Sequence, residues 1–236
     1  MGSPMTAPTN HSPRVSVIIT CYNYAPYVAQ AIESALQQDH PNTEVIVVDD
    51  LSTDGSREII ATWGRGIIPV LNAENRGQGH AFNAGFAAST GEIVCFLDAD
   101  DFLAPGALSR LAAEFPAHQS MRHYRMHLTD PQGRPFDVHP KLEQRLDSGD
   151  LREKLLSTGL ITTTVTSGQA NRRAFLEQAL PMPWERFRYG ADGYLATLAP
   201  LYGEVGDGGA FLFANYRRHG GNHSGFRGEL LNRADW

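Results

Sequence analysis

An α/β fold with a mostly parallel sheet is what this sequence predicts, on three observations. Short runs apolar on both faces alternate with segments of helical periodicity from Arg14 to Phe115. Acidic and polar residues fall directly after those runs. Beyond Phe115 the texture becomes more irregular, so a regular first half carries a mixed second half.

The first run, Val15–Thr20, reads as a buried strand. Pro26 then sits near a helix start, with Val28, Ala31, Ile32, Ala35 and Leu36 on one face. Glu44–Asp49 is the next strand, and Ser52–Ser56 is a turn rich in capping residues. Arg57–Trp63 reads as a helix, Ile67–Leu71 as a third strand, His80–Ala88 as a helix and Glu92–Leu97 as a fourth strand. Pro105 precedes a helix carrying Leu108, Leu111 and Ala112. Doubly apolar strands joined by helices imply a parallel sheet covered on both faces. Right-handed crossovers then gather the loops after the strands at one edge, where such Rossmann-like sheets bind ligands. In the second half, Met121–Leu128 with the Asp130–Gly133 turn suggests a hairpin. Ser148–Ser157 suggests a helix capped by Ser148, Thr162–Ser167 a strand, and Ala210–Tyr216 another strand.

Composition narrows the function. The chain has 236 residues, and Lys+Arg 20 against Asp+Glu 26 leaves a net charge of −6. That length suits one domain with a real core. The charge argues against a chain-wide nucleic-acid binder, which needs a basic face. Cys21 and Cys95 lie in apolar runs and read as buried thiols of a reducing compartment. The apolar runs fall far short of the ~20 residues a membrane span requires. A soluble, cytoplasmic protein is expected, with residues 1–13, rich in Ser, Pro and Thr, as a flexible leader. No P-loop, dinucleotide fingerprint or GxSxG elbow occurs.

Three polar clusters should meet at the carboxyl edge of the sheet: Thr20-Cys21-Tyr22-Asn23, Asp49-Asp50, and Asp98-Ala99-Asp100-Asp101. One such cluster could simply cap a turn; three on one edge point to a site. Carboxylates packed this closely repel one another unless a cation sits among them. Oxygen ligands of this kind suit Mg²⁺ or Mn²⁺, with phosphates completing the shell.

The run from Val15 to Asn23, the segment Val47-Val-Asp-Asp-Leu-Ser-Thr-Asp-Gly-Ser56, and Phe96-Leu-Asp-Ala-Asp-Asp101 together resemble the family 2 glycosyltransferases. The likeness extends over roughly Arg14 to Ser224. It implies a GT-A fold, a single domain over residues 14–236, a nucleotide-sugar-binding half at 14–118 and an acceptor-binding half at 119–236. It further implies that Thr20 and Tyr22 frame the nucleotide base and that Asp50 accepts a hydrogen bond from it. Asp98 would lie near the ribose and metal, and Asp100 would bind the metal. Asp192 matches the catalytic base, and His219, in Tyr216-Arg-Arg-His219, a late metal ligand or diphosphate contact, with His223 as second choice.

Two departures stand out. Phe82 occupies a position where the family usually has Arg, which puts the donor contact expected there in question, and Arg76 could compensate. Gln169-Ala-Asn-Arg172 echoes the Gln-x-x-Arg-Trp of processive synthases but precedes Asp192 and is followed by Arg173, which disfavours processive polymerisation. Trp184 is a candidate acceptor contact.

The expected reaction is a metal-dependent, inverting transfer of a sugar from a nucleotide-diphosphate sugar, UDP favoured, to a hydroxyl of a glycan or lipid-linked acceptor. Peripheral association with the inner membrane face fits such an acceptor. Uracil suits Asp50, though thymine offers the same edge. Two rivals remain at this stage. A non-catalytic nucleotide-sugar-binding module would keep the Asp98/Asp100 pair and lose only the role of Asp192. A haloacid-dehalogenase-like phosphohydrolase would use Asp98 and Asp100 directly, but its motif usually opens the domain, and two βα units precede it here.

Overall fold

A computed structural model describes residues 12–222. The expected leader lies almost wholly outside the described residues, as does His223. The first strand, β1 (Val15–Cys21), is buried along its whole length. It is followed by α1 (Val28–Leu36), β2 (Thr43–Asp49), α2 (Ser56–Ala61), β3 (Ile68–Leu71), α3 (Gln78–Ala88) and β4 (Ile93–Asp98). A short β5 (Phe102–Leu103) leads to α4 (Ala107–Glu114) and the hairpin β6 (Gln119–Thr129) and β7 (Pro135–His139). The chain continues through α5 (Arg152–Thr158), β8 (Gln169–Arg172), α6 (Arg173–Ala179), α7 (Ala191–Tyr202) and β9 (Glu204–Arg217).

Hydrogen bonding orders the sheet β3-β2-β1-β4-β8-β6-β9-β5, with β7 paired to β6. The first four strands are parallel neighbours. β8 then runs antiparallel between β4 and β6. Register pairs Thr20 with both Val48 and Asp98, so β1, β2 and β4 end together. Alternation along β1 divides the core, with Val15, Val17 and Ile19 packing on the α1 and α4 side and Ile18 on the side of α3, α6 and α7. The GT-A-like α/β sheet expected from the sequence is therefore present, flanked by helices on both faces.

Three elements differ from expectation. Thr162–Ser167 forms no strand; Val165 is extended, Gly168 then donates back to Val165 and closes a turn, and pairing starts at Gln169. The turn packs closely, since a Cβ at Gly168 would lie 2.8 Å from the Tyr124 carbonyl oxygen. Ser148 does not cap α5, because Gly149 beside it bridges to Val205 and Asp150 instead accepts from the Arg152 amide. Finally, β3 lies at the sheet edge with Ile68 and Leu71 exposed, a place that tolerates Pro69.

Helix α3 sits flush on the sheet because Gly85 has no side chain. A Cβ there would lie 2.3 Å from Ile18 Cγ2 and 3.0 Å from Val48 Cγ2. Gly85→Ala is expected to cost about 1–3 kcal/mol by overpacking, read as a lowered urea midpoint. An unchanged midpoint would show that α3 can ride away from the sheet at no cost.

Candidate functional site

A cleft of about 420 Å³ opens at the carboxyl edge of β1, β2 and β4. Thr20, Tyr22, Asp50, Asp98, Asp100 and Asp192 all line it. The loops after β1 and β2 are stitched together beneath Tyr22. The Asn23 amide donates to Ser52 Oγ (2.9 Å), the Thr53 amide to Asn23 Oδ1 (2.8 Å) and the Ala25 amide to Asp54 Oδ2 (2.9 Å). Asn23 and Leu51 both adopt positive φ to allow this.

Asp50 is buried and organises the next loop. Its Oδ1 accepts from Asn72 Nδ2 at 2.8 Å; its Oδ2 accepts from the amides of Arg76 (3.0 Å) and Gly77 (2.6 Å). A carboxylate offers about four acceptor positions, so three donors leave room for one more from a ligand. Arg76 thus reaches Asp50 through its backbone. Its side chain is held by Glu74 (2.9 Å) and lies over the Trp184 ring at 5.1 Å, away from the cleft lining. Trp184 packs edge-on against His80 and is not among the cleft residues either. Phe82, in the position that raised the question, is buried and stacked on Phe96 at 3.8 Å.

The Asp98–Asp101 turn carries the site's electrostatic load. Burial first, then the charges of Asp100 and Asp192, push the Asp98 carboxyl up to about 8. Asp101 is raised well above the usual carboxylate range by burial and by Asp100 and Asp98, and its Oδ2 has no hydrogen-bond partner. Burial together with Asp100 also raises the Tyr24 phenol far above its ordinary value. Asp100 Oδ2 faces His219 Nε2 at 3.0 Å and Asn222 Nδ2 at 3.2 Å. The Gly221 amide donates to His219 Nδ1 (3.1 Å), so in the neutral ring Nε2 carries the proton and donates to Asp100.

Asp192 lies in the first turn of α7, where the helix dipole favours a carboxylate. Its Oδ2 accepts from the Thr166 amide at 3.1 Å, yet burial still raises its proton affinity. Gln78 joins the two sides of the cleft: its Nε2 donates to Thr166 Oγ1 (3.2 Å) and its Oε1 accepts from the Ala191 amide (3.0 Å).

Sequence reasoning missed Gln78, Thr166, Tyr24, Arg188 and Asn222. Gln78 sits between Arg76 and Phe82, and Asn222 in the late segment around His219. Thr166 was hidden by its β-branched neighbours. Arg188 sits in an irregular aromatic stretch with no periodic signal.

Glycosyl transferase family 2 matches residues 16–178. An uncharacterized glycosyltransferase of Nostoc sp., alr2836, is 39% identical over 217 residues, 89% of this chain and 66% of its own length. The S. aureus TarS 1–349 structure in complex with UDP-GlcNAc superposes with a TM-score of 0.69 at 23% identity, covering 89% of this chain and 60% of TarS 1–349. The mannosyltransferase PcManGT from Pyrobaculum calidifontis, in complex with GDP-Man and Mn²⁺, gives 0.61 at 21% identity, over 86% and 57% of the two chains. The fold is that of GT-A proteins. The chain belongs to glycosyl transferase family 2, which displaces the phosphohydrolase reading, and it spans about two-thirds of the length of its Nostoc relative.

The raised acids set a pH dependence. A carboxyl whose value is raised in the folded chain holds its proton more tightly there than when unfolded. Stability therefore falls as pH rises from the ordinary value near ~4 to about 8 for Asp98. Buried His123, lowered to about 4, acts in the opposite sense up to its ordinary value near ~6.5. The readout is thus the difference between the unaltered chain and Asp98→Asn in EDTA. The variant's relative stability should increase from pH 5 to pH 8, and a constant difference would contradict the raised value.

Proposed function

We propose that this chain transfers a sugar from a nucleotide-diphosphate sugar, with UDP-sugars favoured, to a hydroxyl of a glycan or lipid-linked acceptor, with inversion at the anomeric carbon. The observation that carries this reading is the convergence of Asp50, Asp98, Asp100 and Asp192 on one cleft. Family membership and the UDP-GlcNAc complex of the TarS neighbour support the donor class. Residues 14–118 would hold the donor and the later half the acceptor. Thr20, Tyr22 and the free acceptor position of Asp50 would meet the base.

A divalent cation, Mn²⁺ or Mg²⁺, fits the donor set. Burial first, then the charges of neighbouring acids, raises Asp98 and Asp101, and the ligands available are hard oxygens and an imidazole. Among the described residues no three His, Cys, Asp or Glu side chains form a ready cage, so diphosphate oxygens would complete the shell. Asp100 can bind as it stands. His219 would ligate through Nε2 only after its proton moved to Nδ1 and the Gly221 bond was released. When bound, the cation neutralises charge on the departing diphosphate; the Mn²⁺ complex of PcManGT supports its use.

The acceptor hydroxyl is a poor nucleophile until its proton is removed. Asp192, with proton affinity raised by burial and a carboxylate oxygen bonded to the Thr166 amide, would take it. The acceptor oxygen then bonds to the anomeric carbon as the bond to the β-phosphate oxygen breaks, and the nucleoside diphosphate leaves with the electron pair. With Asp192 as base and Asp50, Asp98 and Asp100 given to the nucleotide and the cation, a single displacement would invert the centre, as in the geometry of inverting glycosidases.

Among the described residues no helix is long and apolar enough to cross a membrane; a lipid-linked acceptor would be met at the membrane surface. Incubation with a panel of nucleotide sugars and Mn²⁺ should show binding and slow donor hydrolysis. Asp192→Asn should lose about 100-fold or more of transfer while keeping donor affinity. Retained transfer would remove Asp192 as base, and binding without turnover in the unaltered chain would favour a non-catalytic module. Asp100→Ala should abolish the metal dependence of donor binding; unchanged dependence would place the cation elsewhere.

A further inference from the structure

Four acidic side chains face the cleft, so a diphosphate brought there meets like charge that a cationic side chain would offset. Among the described cleft residues the cationic side chain is Arg188. Resting on the donor class proposed above, we propose that Arg188 is the protein's own contact to the donor diphosphate.

Three observations place it there. The backbone of Arg188 is fixed by the donor-side loop: the Gln78 amide donates to its carbonyl oxygen at 2.9 Å, and the Gly79 amide to that of Phe187 at 2.9 Å. Gly77, at φ +85°, lets the two segments touch; a Cβ there would lie 2.6 Å from the Arg188 oxygen. The guanidinium is tethered by neutral partners alone, Nη2 donating to Asn75 Oδ1 at 2.9 Å and reaching the Asn75 carbonyl oxygen at 3.4 Å. Among the described residues it has no carboxylate within ion-pair distance. The cleft arginine is thus positioned yet uncommitted, whereas Arg76 is already paired with Glu74 and stacked on Trp184. A planar fork with free N–H groups suits phosphate oxygens.

A charge contact to phosphate predicts a dependence on phosphate count. Titration calorimetry with uridine, UMP and UDP, each with Mn²⁺, should show Arg188→Gln weakening UDP by about 10-fold or more, UMP less, and uridine not at all. Arg188→Lys should recover part of the UDP loss. Equal losses for uridine and UDP would reduce Arg188 to a support for the Asn75 loop, and no loss for UDP would remove it from the donor site. Failure of the unaltered chain to bind UDP or any other nucleoside diphosphate would count against the donor class itself, before the variants are compared.

Discussion

Bringing four carboxylates to one sheet edge is the constraint around which this molecule is arranged, and Arg217 is the buried group that makes the most acidic part of it stand. Only 2% exposed, Arg217 donates from Nε to the Asp100 carbonyl oxygen (2.7 Å), from Nη1 to the Pro131 carbonyl oxygen (2.8 Å) and from Nη2 to Gln30 Oε1. Its amide donates to Asp101 Oδ1 at 2.9 Å, and its guanidinium lies between the Tyr27 and Phe102 rings. One cation therefore ties the acidic turn to α1, to the β6–β7 hairpin turn and to the end of β9. A lysine could supply charge but not the three-way fork.

That tie explains why the second half of the chain belongs to the first half's site. β9 is a long strand between β6 and β5, and its last residue is Arg217. Two residues on, His219 reaches Asp100 and its ring lies tilted against Tyr27 at 4.8 Å. On the opposite wall, Gln78 couples α3 to Thr166 and to the start of α7, where Asp192 sits. The parallel sheet supplies Asp50 and Asp98 by topology alone, whereas Asp192 and His219 are brought in by the packing of α7, the pairing of β9 and these long-range polar bonds.

The same distinction governs what could be read from the sequence. Strand ends followed by polar residues are local signals, and a parallel sheet converts them into spatial convergence without further information; Thr20, Asp50 and Asp98 were legible for that reason. The family resemblance carried Asp192 and His219, whose positions depend on contacts over a hundred residues apart for the latter pair. Where local propensity and tertiary pairing disagreed, pairing won: Thr162–Ser167 has β-branched content but no ladder partner, and Ser148 lost its capping role to the Gly149–Val205 bridge. Arg76 shows a subtler limit. Its position in the loop was informative, but the backbone rather than the side chain turned out to face Asp50.

Gln169-Ala-Asn-Arg172 shows how the fold disposes of a misleading motif. These residues form β8, with Ala170 and Asn171 pairing to both β4 and β6. Gln169 donates to the Thr164 carbonyl oxygen at 2.7 Å, and Arg172 lies over Phe115 at 4.4 Å. Arg172 pairs with Ile93 at the start of β4, the end of the strand opposite Asp98 and the cleft. This short antiparallel strand joins the parallel strands β3, β2, β1 and β4 to β6 and β9. The motif's residues are spent on that junction, and their distance from the cleft follows from the register of the pairing.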